Sequence, residues 1–211
     1  MGASRHWYEM DRYLLSLVGF TLAATLSPGP NNVIVASIGA RRGIWAALPY
    51  MIGVAAGWAV MILLVGTGLA GLFTQVPALA GVMRWVALAW IVFLAWQIAT
   101  SPLPGEAADG RLPGFVTALF LQWVNPTGWM LALGLISAWM RPDRSALAQI
   151  ALFAAVFALV VFPSLGLWTI LGTGAARLLH SPRRVRVFNV AMAVVLVASM
   201  LPVVLGEMGG H

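Results

Sequence analysis

Two short segments could bind a small polar molecule inside an otherwise apolar chain. They are Ser27-Pro28-Gly29-Pro30-Asn31-Asn32 and Trp123-Val124-Asn125-Pro126-Thr127-Gly128-Trp129. In the first, two prolines remove two backbone donors and crowd the preceding turn, and Gly29 between them cannot stiffen a helix. In the second, Asn125 and Pro126 interrupt an apolar run in the same way. A helix that restarts after such a break presents unpaired N–H groups and the positive end of its dipole, which suits a carboxylate. Unwound carbonyls and the amides of Asn31, Asn32 and Asn125 suit an ammonium group. Together they suit a small zwitterion such as an amino acid. Pro28, Gly29, Pro30, Asn31, Asn32, Asn125 and Pro126 are therefore the expected binding or hinge residues. Simple bending is the competing reading, and it is the one adopted for Pro49, Pro163 and Pro202. Trp123 and Trp129 flank the second break, where they either line a cavity or pack.

The elements that must position these residues follow from composition. Of 211 residues, 61% are hydrophobic and 9% charged, with a mean hydropathy of +0.93. Soluble domains carry about 25% charged residues. The balance excludes a soluble enzyme, a disordered chain and a nucleic-acid-binding domain, and it fits an all-α polytopic membrane protein. The net charge of +6 comes from scattered arginines, with no lysine, facing lipid rather than nucleic acid. A bilayer-spanning helix needs about 20 apolar residues. Six candidates fit, over 13–38, 44–73, 80–100, 115–140, 146–171 and 187–205, after a polar tail over 1–12. The first stretch is read as a kinked span rather than a cleaved signal peptide, because apolar character resumes after Asn32. Residues 1–211 then form one transmembrane domain.

The two breaks fall in the first span of each set of three. Three spans per half turn the second half over, so halves of about 12–100 and 114–205 read as an inverted repeat, with a substrate site where the broken helices meet. The freed carbonyls cannot face lipid and must face protein or a wet cavity. Arg41, Arg42, Arg111, Arg177, Arg183, Arg184 and Arg186 fall in odd-numbered loops, against Arg5, Arg12, Arg84, Arg141 and Arg144 elsewhere. The positive-inside rule then puts odd loops in the cytoplasm and both termini in the periplasm.

Other chemistry is sparse. There is no cysteine, so no disulfide framework, thiolate site or redox pair, and a membrane thiol-electron carrier is excluded. Every Asp and Glu lies in a tail or loop, and His6, His180 and His211 are peripheral. No metal site and no cofactor are expected, which disfavours a metal-ion exporter. No H-E-x-x-H or G-x-S-x-G motif suggests an intramembrane enzyme. Gln97, Gln122, Ser164, Thr169 and Asn189 are uncharged polar residues for a path or for interhelical bonds. Gly53 and Gly57 put two small residues on one helix face, for packing or for a homodimer contact. A non-transporting membrane partner remains the alternative from another class.

At these residues the sequence resembles the LysE/RhtB family of amino-acid exporters. Ser-Pro-Gly-Pro-Asn at 27–31 looks like the family's first-helix signature. Gly39-Ala-Arg-Arg-Gly43, with Gly53 and Gly57, is similar to its next block, which assigns Gly43 to helix packing with the other two. Asn125-Pro126 sits where the family has its Asn-Pro pair. The run from Ala89 to Pro102 looks like the cysteine/O-acetylserine exporter branch. The sequence departs from the family at Asn31, where many members carry Asp, and at Thr127, where many carry Lys. The resemblance implies six helices in a bacterial inner membrane, export of small amino acids or their derivatives, and drive from the proton gradient.

Overall fold

The structure is a computed structural model that describes residues 2–27, 29–69, 78–100, 112–178 and 181–198. The described elements are helical throughout: α1 (Gly2–Leu26), α2 (Pro30–Arg42), a 3-10 turn (Ile44–Ala47), α3 (Leu48–Leu64) running into a π turn (Val65–Leu69), α4 (Ala78–Ala99), α5 (Phe115–Val124), α6 (Pro126–Trp139), α7 (Ala146–Leu178) and α8 (Pro182–Ala198). Residues Ile44–Gly68 and Ala146–Ala175 are each long and apolar enough to cross a bilayer. A third crossing arises if Phe115–Val124 and Gly128–Trp139, bent by 68°, act as one span.

Several boundaries differ from the sequence expectation. Helix α1 starts at Gly2, so residues up to Arg12 continue the helix instead of forming a tail. Helix α7 continues past Leu171 to Leu178, and α8 starts at Pro182 rather than Val187. Pro49 lies in the first turn of α3, where its missing N–H has no intrahelical role; it starts the helix instead of bending it. Pro163 does lie inside α7. The expected span ends at 70–73 and 199–205, with Pro202, and Pro28 itself, fall outside the described residues.

Packing relates the two parts of the chain closely. Gly53 of α3 lies against Phe115 and Ala118 of α5, and Gly57 against Leu119 and Gln122, so these helices run parallel. Met51 lies beside Thr169 while Trp58 stacks on Phe157, so α3 and α7 run antiparallel. Helix α2 packs along α7 so tightly that a Cβ on Gly172 would fall on the carbonyl of Ala36, and one on Gly39 on that of Thr169. Helix α7 also takes α1, and α4 pairs with α8. At one end of the bundle the Tyr13 hydroxyl donates to the Trp139 carbonyl at 2.9 Å, tying α1 to α6. The core runs through Leu17, Ile34, Tyr50, Leu121, Phe153 and Phe157. Outward, Val116, Met130, Leu147 and Leu159 are exposed, an apolar exterior that a bilayer would cover.

Candidate functional site

Helix α1 stops at Leu26 and α2 begins at Pro30, with Gly29 in extended conformation between them (φ −144°, ψ 176°). Pro30 suits the first position, since no helical acceptor exists there for an N–H. The first turn closes with the Val33 N–H on the Gly29 carbonyl at 3.1 Å. The N–H groups of Asn31 and Asn32 precede that bond and have no acceptor within the helix. The orphan carbonyls at the end of α1 have a donor: the Asn32 side-chain amide gives 2.6 Å to Ser27 and 2.9 Å to Thr25. Asn32 is thus buried and committed to sealing the break.

The second interruption is built by the same logic. Asn125 is extended (φ −83°, ψ 106°) between α5 and α6, its N–H on the Leu121 carbonyl at 3.1 Å. Its carbonyl accepts from the Gly128 N–H at 3.0 Å. The Trp129 indole N–H donates to the Trp123 carbonyl at 2.9 Å, and the two indoles meet edge-on at 5.7 Å. As at the first break, a side chain just past the interruption takes up a carbonyl just before it. Pro126 opens α6; its side chain and that of Thr127 lie outside the described residues.

Both interruptions open onto one cavity of about 110 Å³. Gly29, Pro30, Asn31 and Asn32 line it from the first, and Asn125 and Gly128 from the second. Trp58 and Phe157, stacked at 4.2 Å, form an aromatic wall, and Leu131, Val161 and Leu165 complete the apolar side. The cavity reaches the exposed Ser27. No lining residue is charged. Among the described residues, no cluster of three or more His, Cys, Asp or Glu could hold a metal ion. Trp123 and Trp129 are not among the lining residues.

Beside the cavity, Asn31 pairs with Gln122 of α5. The Asn31 amide N–H donates to Gln122 Oε1 at 3.3 Å, and the Gln122 amide N–H donates to Asn31 Oδ1 at 3.1 Å. The Tyr50 hydroxyl donates to the same Asn31 Oδ1 at 2.9 Å. Thr25 and Ser164 hydroxyls meet at 3.0 Å between α1 and α7. The sequence reading did not single out Tyr50, Thr25, Trp58 or Phe157. Tyr50 carried one usable signal, a phenol hydroxyl in an apolar span that must find a partner.

Of the glycines expected to pack, Gly53 and Gly57 lie against α5. Gly43 does not: nothing would meet a Cβ there, and φ +80° with ψ 179° makes it the turn that ends α2. Only glycine adopts that backbone readily.

The LysE type translocator family matches residues 22–204. A cysteine/O-acetylserine efflux protein of Salmonella typhimurium strain LT2 is 31% identical over 141 residues, 67% of this chain and 72% of that protein. The protein of the same name from Escherichia coli strain K12 is 26% identical over 178 residues, 84% of this chain and 90% of its own. No solved structure matches the chain. A translocator family matched over nearly the full length, on a chain of long apolar helices, leaves one classification: the chain belongs to the LysE type translocator family and is a multi-pass membrane transporter, not an enzyme.

Proposed function

We propose that the protein is a secondary active exporter of small amino acids or their derivatives, of the cysteine, O-acetylserine or homoserine kind, working by alternating access in a bacterial inner membrane. The observation that carries this reading is that both helix interruptions line one uncharged, amide-bearing cavity. Its volume of about 110 Å³ equals the share of about four waters. That suits a small solute and not a drug-sized ligand, which needs some 300–1,000 Å³. The carboxylate would sit at the free N–H groups of Asn31 and Asn32, and the ammonium at the Asn31 and Asn125 oxygens. Pro28, Gly29, Pro30 and Pro126 would serve as hinges. The names of the efflux relatives support the substrate class.

The two-half architecture, about 12–100 and 114–205, is part of the same proposal. Helix α3 packs on α5, α7 packs on α1 and α2, α3 meets α7, and α4 meets α8. A two-fold axis exchanging the halves would map the first pairing onto the second and return the last two to themselves. Six crossings with both termini in the periplasm complete the reading. The test is export from cells preloaded with labelled amino acids, across a panel including O-acetylserine, cysteine and homoserine, with and without a protonophore. Expression lowers the internal label for at least one compound, and the protonophore removes the effect. No change across the panel would overturn the exporter reading.

A further inference from the structure

We propose that Asn31, Gln122 and Tyr50 form the gate that closes the cavity on the side where α3 and α5 begin. The proposal rests on the exporter reading and adds the groups that must part for substrate to pass.

The level of the ring along α3 sets its place. Tyr50 lies in the first turn of α3, Gly57 faces Gln122, Trp58 stands in the cavity wall, and Met61 faces Gly128. Tyr50 is eight residues before Trp58, about 12 Å along the axis. Asn31 and Gln122 stand at the level of the cavity, and Tyr50 reaches them from the first turn of α3, so the ring extends from the cavity floor toward the turn that joins α2 to α3. Asn31 lies on α2, Tyr50 on α3 and Gln122 on α5, so the ring joins separate helices that would have to part for the cavity to open on this side. Tyr50 and Gln122 are fully buried while the ring is closed.

The chemistry suits a gate. Neutral amides and a phenol exchange partners at small net cost, unlike an ion pair in a dry interior. Asn31 belongs to both the ring and the cavity lining. Its Oδ1 accepts from Gln122 and from Tyr50 together. An ammonium group arriving in the cavity competes for that same oxygen, which loosens the ring from within. Occupancy and opening thereby share one atom. Tyr50 acts as a positioning residue that fixes which way the Asn31 amide faces.

The chain has no cysteine, so one introduced thiol reports alone. Val54, fully buried on α3 one turn beyond Tyr50, is the reporter as Val54→Cys. Leu135→Cys, fully buried on α6, is the control. Labelling by N-ethylmaleimide is measured in membranes with no added amino acid. Asn31→Leu, which removes all three bonds of the ring, and Gln122→Met, which removes two, each raise the Val54→Cys rate at least about tenfold, given the modest net worth of each bond. The double variant goes no higher than Asn31→Leu alone, because Asn31 takes part in every bond of the ring. Tyr50→Phe, which keeps the ring packing, raises it about threefold. The Leu135→Cys rate stays constant throughout. Unchanged Val54→Cys rates, multiplying effects in the double variant, or an equal rise at Leu135→Cys would each overturn the gate in favour of plain packing. The readout needs no substrate, so an export panel without a hit would sink the exporter reading and leave the labelling result standing.

Discussion

Asn31 and Asn32 are chemically identical neighbours, yet Asn32 turns its amide back onto Thr25 and Ser27 while Asn31 reaches across to Gln122. The difference is helical position: a step of one residue swings a side chain by about 100° around the axis. Replacing Asn32 by Leu leaves the Thr25 and Ser27 carbonyls without that donor, and for the buried Thr25 bond the loss costs about 1–3 kcal/mol. For a chain of this size each kcal/mol lowers the unfolding midpoint by roughly 2–4 °C. Thermal unfolding of the detergent-solubilised Asn32→Leu protein is the check, and an unchanged midpoint would show that the capping bonds contribute nothing. Sequence alone marked both residues, because Pro-Gly-Pro breaks a helix whatever surrounds it. It could not divide their labour, and although the Tyr50 phenol in an apolar span signals a need for a partner, sequence does not name that partner, 19 positions away.

The same contrast between local and distant causes runs through the helices. Breaks at Pro and Asn, and the start of α3 at Pro49, follow from backbone chemistry within a few residues. Helix ends without such punctuation are not legible in the sequence: α7 runs seven residues past the apolar stretch, to Leu178. The tightest approach at a glycine among the described residues, Gly39 and Ala36 against Thr169 and Gly172, joins segments more than a hundred residues apart, and no spacing rule announces it. Gly39→Ala or Gly172→Ala pushes a methyl group into backbone, and overpacking of this kind costs about 1–3 kcal/mol. Gly134→Ala and Gly174→Ala, where nothing would meet the added Cβ, serve as matched changes that leave yield and midpoint intact. Equal losses at all four positions would mean that the approach of α2 to α7 is not the cause.

On the scale of the whole molecule, the apolar composition foretold a membrane bundle, and the exposed Val116, Met130 and Leu159 give that bundle its outer coat. Orientation rests on the arginines. Arg41, in the last turn of α2, has its guanidinium pKa lowered from the ordinary value by burial and then by Arg42, and arginine still keeps its charge at neutral pH. Alkaline phosphatase fused after His211 is expected to be active, and the same enzyme inserted in the loop of residues 102–113 inactive; the reverse pattern would invert the topology. The contact of α2 with α7 has a mechanical consequence. Side chains can rotate to let two helices slip, but main chain pressed on main chain has nothing to yield. In the proposed transport cycle α2 would therefore travel with α7. The piece that swings would then not be one half of the chain: it would borrow a rod from each.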